Sequence, residues 1–269
     1  MNERELNTLI EEFSPNRMDE LLTLIERYSP GHREEVAGWT SLFIDDLEEA
    51  FGRPLPSFYR EFAGAMGKKG GRLLSDVKNY NTYSDVREYY APPYNGESLP
   101  PRRFLYILGD TTEPDPVNYY LDLEAPSEDG DAQVVRIPYG KDAWKTVSGA
   151  SFISFREMLY LWAMDKFLLS TFPHQANYSQ DRSAPLLTPD AFAQTLEKLG
   201  FSRLPYPQHS MLFERADAAL ELYRPPDGQI LFTLRVGFRS LKGLKQLQSI
   251  IEDNTSMERF TWPGQKREE

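Results

Sequence analysis

Apolar residues recur at helical spacing from Trp39 to Gly71. Ile44, Leu47 and Phe51 fall at i, i+3 and i+7, with Asp45, Asp46, Glu48 and Glu49 on the other face. Gly52 supplies the left-handed residue that stops a helix. Pro56 suits a first helical turn, where its missing N–H has no intrahelical partner. Phe58, Tyr59 and Phe62 predict the buried face of the next helix, and Gly67, Gly70 and Gly71 release the chain from it. Upstream, Leu6, Leu9, Ile10 and Phe13 predict one helix and Met18, Leu21, Leu22 and Ile25 a second. Ser14-Pro15-Asn16 separates them, and Ser29-Pro30-Gly31 ends the second. These helices read either as cover for the core, the favoured role, or as a contact for a partner.

After Gly71 the period changes. Segments 72–78, 103–108, 116–123 and 133–138 are short, rich in Val, Ile, Leu and Tyr, and bounded by Pro, Gly and Asp, which predicts an antiparallel sheet. A tyrosine-rich excursion from Tyr80 to Tyr94, followed by Pro100-Pro101, interrupts them. It reads either as a binding loop or as cover for its own sheet. Ser154 and Glu157 form an S-x-x-E capping box, and Met158, Leu161, Trp162 and Leu169 continue one apolar face behind it. Residues 171–187 are polar and aperiodic, as expected of a linker. Thr188-Pro189-Asp190 opens a helix with Phe192, Leu196 and Leu199 on its face. Strand-like segments follow near 210–215, 218–223 and 229–236, with a Pro225-Pro226-Asp227-Gly228 turn between the last two. A closing helix over about 240–252 places Leu241, Leu244, Leu247 and Ile251 together. Arg215, Arg224, Arg235 and Arg239 of this unit read as solvated strand edges.

The 269 residues are enough for more than one folding unit, and 40% hydrophobic with 26% charged residues is ordinary for a globular protein. There is no cysteine, which excludes disulfides and thiolate metal sites. No apolar run approaches the roughly 18–20 residues that span a bilayer, and the opening MNERELNTLIEEF lacks the form of a signal peptide, so a cytoplasmic protein is expected. Net charge is −11. Acids and bases balance at 11 each from Leu186 onward, so the excess lies in residues 1–185, with 30 acids against 19 bases. Such a surface repels nucleic-acid phosphate and favours basic protein partners.

Between Arg103 and Arg136 there is no Lys or Arg but there are eight carboxylates: Asp110, Glu113, Asp115, Asp122, Glu124, Glu128, Asp129 and Asp131. Four readings stand: a face for a basic protein, a calcium site, paired acid/base carboxylates, or solvated turns. Neither acidic segment has EF-hand spacing. The enzyme motifs are missing. His32, His174 and His209 are scattered, and there is no G-x-S-x-G elbow or phosphate-binding loop.

Leu47, Glu48, Gly52, Leu55, Pro56, Phe58, Tyr59, Phe62, Gly70 and Gly71, taken in order, resemble the opening signature of the SUKH superfamily of Smi/Knr-like proteins. The chain has Lys69-Gly70-Gly71 where the family usually has Asn-Gly-Gly. Gly109-Asp110, Tyr120-Leu121-Asp122 and Ser154-Phe155-Arg156-Glu157-Met158-Leu159 extend the likeness.

The resemblance implies an α+β fold: an antiparallel sheet flanked by helices over 36–170, with a helical extension over 1–35. A linker over 171–187 and a small helix-three-strand-helix unit over 188–260 complete the expected organisation. It further implies a non-catalytic immunity protein that occludes a cognate toxin, such as a basic nuclease. The residues themselves lead to the expectation of no cofactor, metal, membrane or direct nucleic-acid partner. The alternative is an intracellular regulatory or scaffold module. Charge and the likeness together place the partner surface on the eight carboxylates above, with Tyr119 and Tyr120 as neighbouring contacts.

Overall fold

The computed structural model describes residues 16–77, 100–110, 117–127, 130–138, 142–147, 149–180, 188–226 and 232–261. The expected helix over Leu6–Phe13, the tyrosine-rich excursion and the Asp227-Gly228 half of the turn lie outside them.

Helix α1 (Arg17–Tyr28) starts where the Asn16 side chain accepts the Asp19 amide, and it buries Met18, Leu21, Leu22 and Ile25. After the one-turn α2 (His32–Glu35) and β1 (Val36–Ala37), α3 (Ser41–Phe51) buries Ile44, Leu47 and Phe51 and ends on Gly52 at φ 80°. In α4 (Ser57–Met66) Pro56 stands just before the first turn rather than in it, and Phe58, Tyr59 and Phe62 are buried. β2 (Lys69–Gly70) pairs antiparallel with β1. The strand expected over 72–78 is instead a 3-10 turn at its start, Gly71–Leu74. A strand would send Leu73 and Leu74 to opposite faces; the turn lets both into the core.

The expected meander is present as β3 (Phe104–Asp110), β4 (Val117–Ser127) and β5 (Asp131–Pro138), antiparallel in that order. The helix behind Ser154 is α5 (Phe155–Phe167). The sequence shows one apolar face for it, but the helix is buried nearly all round: Phe155, Met158, Leu159, Tyr160, Leu161, Ala163, Met164 and Phe167 are all inside. A helix of that kind is a shared layer.

The second layer against α5 explains the burial. The stretch expected as a linker contains β6 (His174–Gln180). Beyond α6 (Pro189–Lys198) come β7 (Ser202–Arg203), β8 (Met211–Arg215), β9 (Ala218–Tyr223) and β10 (Thr233–Phe238). Then follow α7 (Leu241–Asn254) and β11 (Met257–Phe260). Six strands, not three, form one antiparallel sheet in the order β11-β6-β10-β9-β8-β7. Alternation splits its faces. Phe213, Leu220, Leu222, Leu234, Val236 and Phe238 join Phe192, Leu196, Leu244, Leu247 and Ile251 of α6 and α7 in one core. Leu212 and Ala219 join the core around α5 instead. The molecule is therefore mixed α+β, with helices flanking the three-stranded and six-stranded antiparallel sheets and α5 between these two. Leu241 is 37% exposed and does not share the buried face of α7.

Candidate functional site

Of the eight carboxylates, the described residues place the side chains of Asp122, Glu124 and Asp131 only. The β3–β4 turn follows Asp110, which pairs with Val117, and the β4–β5 turn follows Ser127, which pairs with Asp131. The eleven residues of β4 put its two ends about 33 Å apart. Glu113, Asp115, Glu128 and Asp129 lie outside the described residues, as does the side chain of Asp110.

Four of the expected contact residues are turned inward. Tyr119 meets Trp162 of α5 edge-on at 5.5 Å, with the Arg136 guanidinium over its ring. Tyr120 is 1% exposed and packs against Tyr106 at 5.6 Å. Asp122 takes a two-pronged bond from Arg103, at 2.7 Å from Nε and 2.5 Å from Nη2. Asp131 accepts the Arg156 amide at 2.8 Å and the Ala132 amide at 2.7 Å. It thus caps the first turn of α5 beside Ser154, which accepts the Glu157 amide. Burial pushes the Asp131 carboxyl up to about 6 against those bonds. Tyr119, Tyr120 and Asp122 lie where β4 is covered on both faces and has no solvent side on which to present them, and Asp131 is buried at the start of β5.

Glu124 is the exception. Its side chain is 64% exposed, with only a 3.5 Å approach to Arg103 Nη1. It stands at the β4–β5 end of the sheet, and the α3–α4 connection lies at the same end. Ser57 Oγ donates to the Gly130 carbonyl at 3.3 Å, and Gly52 sits against the Arg102 guanidinium. Glu49 is exposed in the last turn of α3, next to that connection, and Leu42 in its first turn is 71% exposed.

The cations of this half of the chain are largely committed internally. Arg17 pairs with Glu61, Arg33 with Asp19, Arg60 with Asp45 and Glu48, Arg72 with Glu35, Arg156 with Glu20 and Lys166 with Asp76. Such pairs add little stability at a surface. Glu34, Glu49 and Glu124 are exposed carboxylates, and Arg53, Lys68, Lys69, Arg102 and Arg136 are exposed cations.

A second carboxylate group, not foreseen from the sequence, lies between α5 and the six-stranded sheet. Glu157 is fully buried and its Oε2 accepts the Ser210 amide at 3.1 Å. Asp165 pairs with Arg235 at 2.5 Å, and Arg235 stands opposite Glu221 in the sheet. Arg235 is therefore an inward anchor rather than a solvated edge. Burial pushes Glu157 up to about 7, and burial with the Asp165 charge pushes Glu221 up to about 8. The only sequence trace of this layer is Glu157 in the capping box. Its carboxylate reaches the second sheet and leaves the Ser154 amide alone.

Among the described residues no group of three or more His, Asp or Glu is placed to hold a metal ion, and no helix is long and apolar enough to cross a membrane. No protein-family model, curated protein or solved structure matches this chain.

Proposed function

We propose that this chain is a non-catalytic protein-binding module of the Smi/Knr-like immunity type, cytoplasmic, and directed at a basic partner. The observation that supports it is the acidic balance of residues 1–185, 30 acids against 19 bases, together with the exposed carboxylates of Glu34, Glu49 and Glu124. A cationic toxin, such as a nuclease whose active face binds phosphate, is the complementary partner. Neutralisation is by stoichiometric occlusion. The contact surface in this reading is the β4–β5 end of the sheet with the adjoining α3, centred on Glu124, Glu49 and the exposed Leu42. An apolar contact inside a charged rim is a usual interface plan.

The experiment is affinity capture from the source organism with the full chain as bait. Recovery of one basic protein in 1:1 complex supports the proposal. A diffuse set of partners with no toxic member replaces it with the scaffold reading.

A further inference from the structure

The face of the six-stranded sheet turned away from α5 is covered by α6 and α7. Between the end of α6 and the flank of α7 opens a cleft of about 420 Å³. That lies within the ~300–1,000 Å³ typical of small-molecule sites. Leu199, Phe201, Phe238, Leu247 and Ile250 give it apolar walls. Gly243, Gln246, Leu247 and Ile250 recur at helical spacing, so one stripe of α7 faces the cleft. A Cβ at Gly243 would come within 2.7 Å of the Phe238 ring, so the glycine lets the helix sit low over that ring.

One charged group lines this cavity. The Arg215 guanidinium lies over the rings of Phe201 and Phe238, at 4.7 and 5.6 Å from their centroids. Nε and Nη2 donate to the two oxygens of Asp217, at 2.6 and 3.2 Å, and Nη1 donates to the Leu199 carbonyl at 2.9 Å. An arginine has five N–H groups, so one remains on each terminal nitrogen. The fork is held rigid before any ligand arrives, and its side chain is 30% exposed. Asp217 also feels Arg239, so two cations share one carboxylate. Lys242 and Lys245 stand exposed on α7. Arg239 thus adds a second positive charge beside the Arg215–Asp217 pair, and the walls favour an apolar body.

We infer that the α6–α7 cleft binds a small amphipathic carboxylate, with its apolar body among Phe201, Phe238, Leu247 and Ile250 and its carboxylate on the spare N–H groups of Arg215. The inference stands apart from the toxin-binding surface, which lies on the other unit.

The test is calorimetric titration of the full-length protein with decanoate, decanol and decylamine, repeated on two variants. Gln246→Trp fills the cleft from an exposed position. Arg215→Lys keeps the charge and loses the fork. Thermal melts check that both are folded. Saturable 1:1 binding of decanoate is expected, about tenfold or more tighter than decylamine, abolished by Gln246→Trp and weakened about tenfold by Arg215→Lys. Equal binding of decanoate and decylamine would overturn the inference. So would decanoate binding that survives Gln246→Trp, or a Kd weaker than about 1 mM. Binding of an acidic peptide carrying a Leu-Glu step, with no binding of decanoate, would also overturn it and make the occupant a protein segment.

Discussion

Glu157 Oε2 accepts the backbone amide of Ser210 at 3.1 Å, across 53 residues of sequence and between the two halves of the fold. Its carboxylate starts from the first turn of α5, is fully buried, and satisfies a buried amide of the loop before β8. Replacing it with Ala leaves that amide without an acceptor, at a cost of about 1–3 kcal/mol. Glu157→Gln keeps a carbonyl oxygen there and is expected to lose less. Urea unfolding of both variants checks the difference; equal loss in the two would show that the bond is not what matters.

The same layer sets the pH dependence. Glu157, Glu221 and Asp131 all titrate higher in the folded chain than in the unfolded one, near 7, 8 and 6. Between about pH 4.5 and 8 these three groups hold protons in the folded state that the unfolded state has released, so they make stability fall as pH rises. His32 and His209, whose imidazoles burial holds below their usual value, make an opposite contribution up to about pH 6.5. Above the histidine range the sign is set by the carboxyls, so the melting temperature at pH 7 is expected to exceed that at pH 8.5, by about 2–4 °C per kcal/mol. Glu157→Gln should flatten the slope. A melting temperature that rises with pH across this range would contradict the assignment.

A fragment ending at Ser170 is expected to be insoluble or molten. Its α5 would expose the face that packs on Leu204, Leu212 and Ala219 of the second half. Size-exclusion chromatography and near-ultraviolet circular dichroism decide it. A monodisperse, cooperatively folded fragment would show that the two halves are independent.

Gly38 and Gly64 meet backbone to backbone and should respond differently to the same change. A Cβ on Gly38 would lie 1.6 Å from the Gly64 carbonyl oxygen, so Gly38→Ala is expected to prevent the α4 contact and abolish soluble expression. A Cβ on Gly64 meets only Ile44 at 4.0 Å, and inside a helix Gly64→Ala is expected to stabilise by about 0.5–1 kcal/mol. Melting temperatures of the two variants check the pair.

Sequence pattern carried the helices well. Gly52 does end α3, Thr188 caps α6 by accepting the Ala191 amide, and Ser154 caps α5. The second sheet was much less legible. β6 reads HQANYSQ, with only Ala176 and Tyr178 supplying apolar side chains to the core under α7, so it has the composition of a linker. Its strand character comes from pairing with β10 and β11 on either side, a long-range constraint that local pattern does not carry. Four of the expected contact residues are buried for a related reason. Alternation normally gives a strand one wet face, but Val117–Asp122 is covered on both, so its aspartate and tyrosines are used internally. Glu124 survives because the strand leaves cover beyond Asp122, where the pairing register shifts.

The most direct test of the proposed function is co-expression with the basic protein captured by the full chain, in a host in which that protein alone is toxic. The account predicts that the wild-type chain restores growth. It also predicts that Glu49→Lys with Glu124→Lys, folded by its melting profile, slows association by about tenfold or more at low salt and restores growth poorly. Association and protection unchanged in the double variant would contradict the assigned surface, and a captured partner with no toxicity would contradict the immunity function itself.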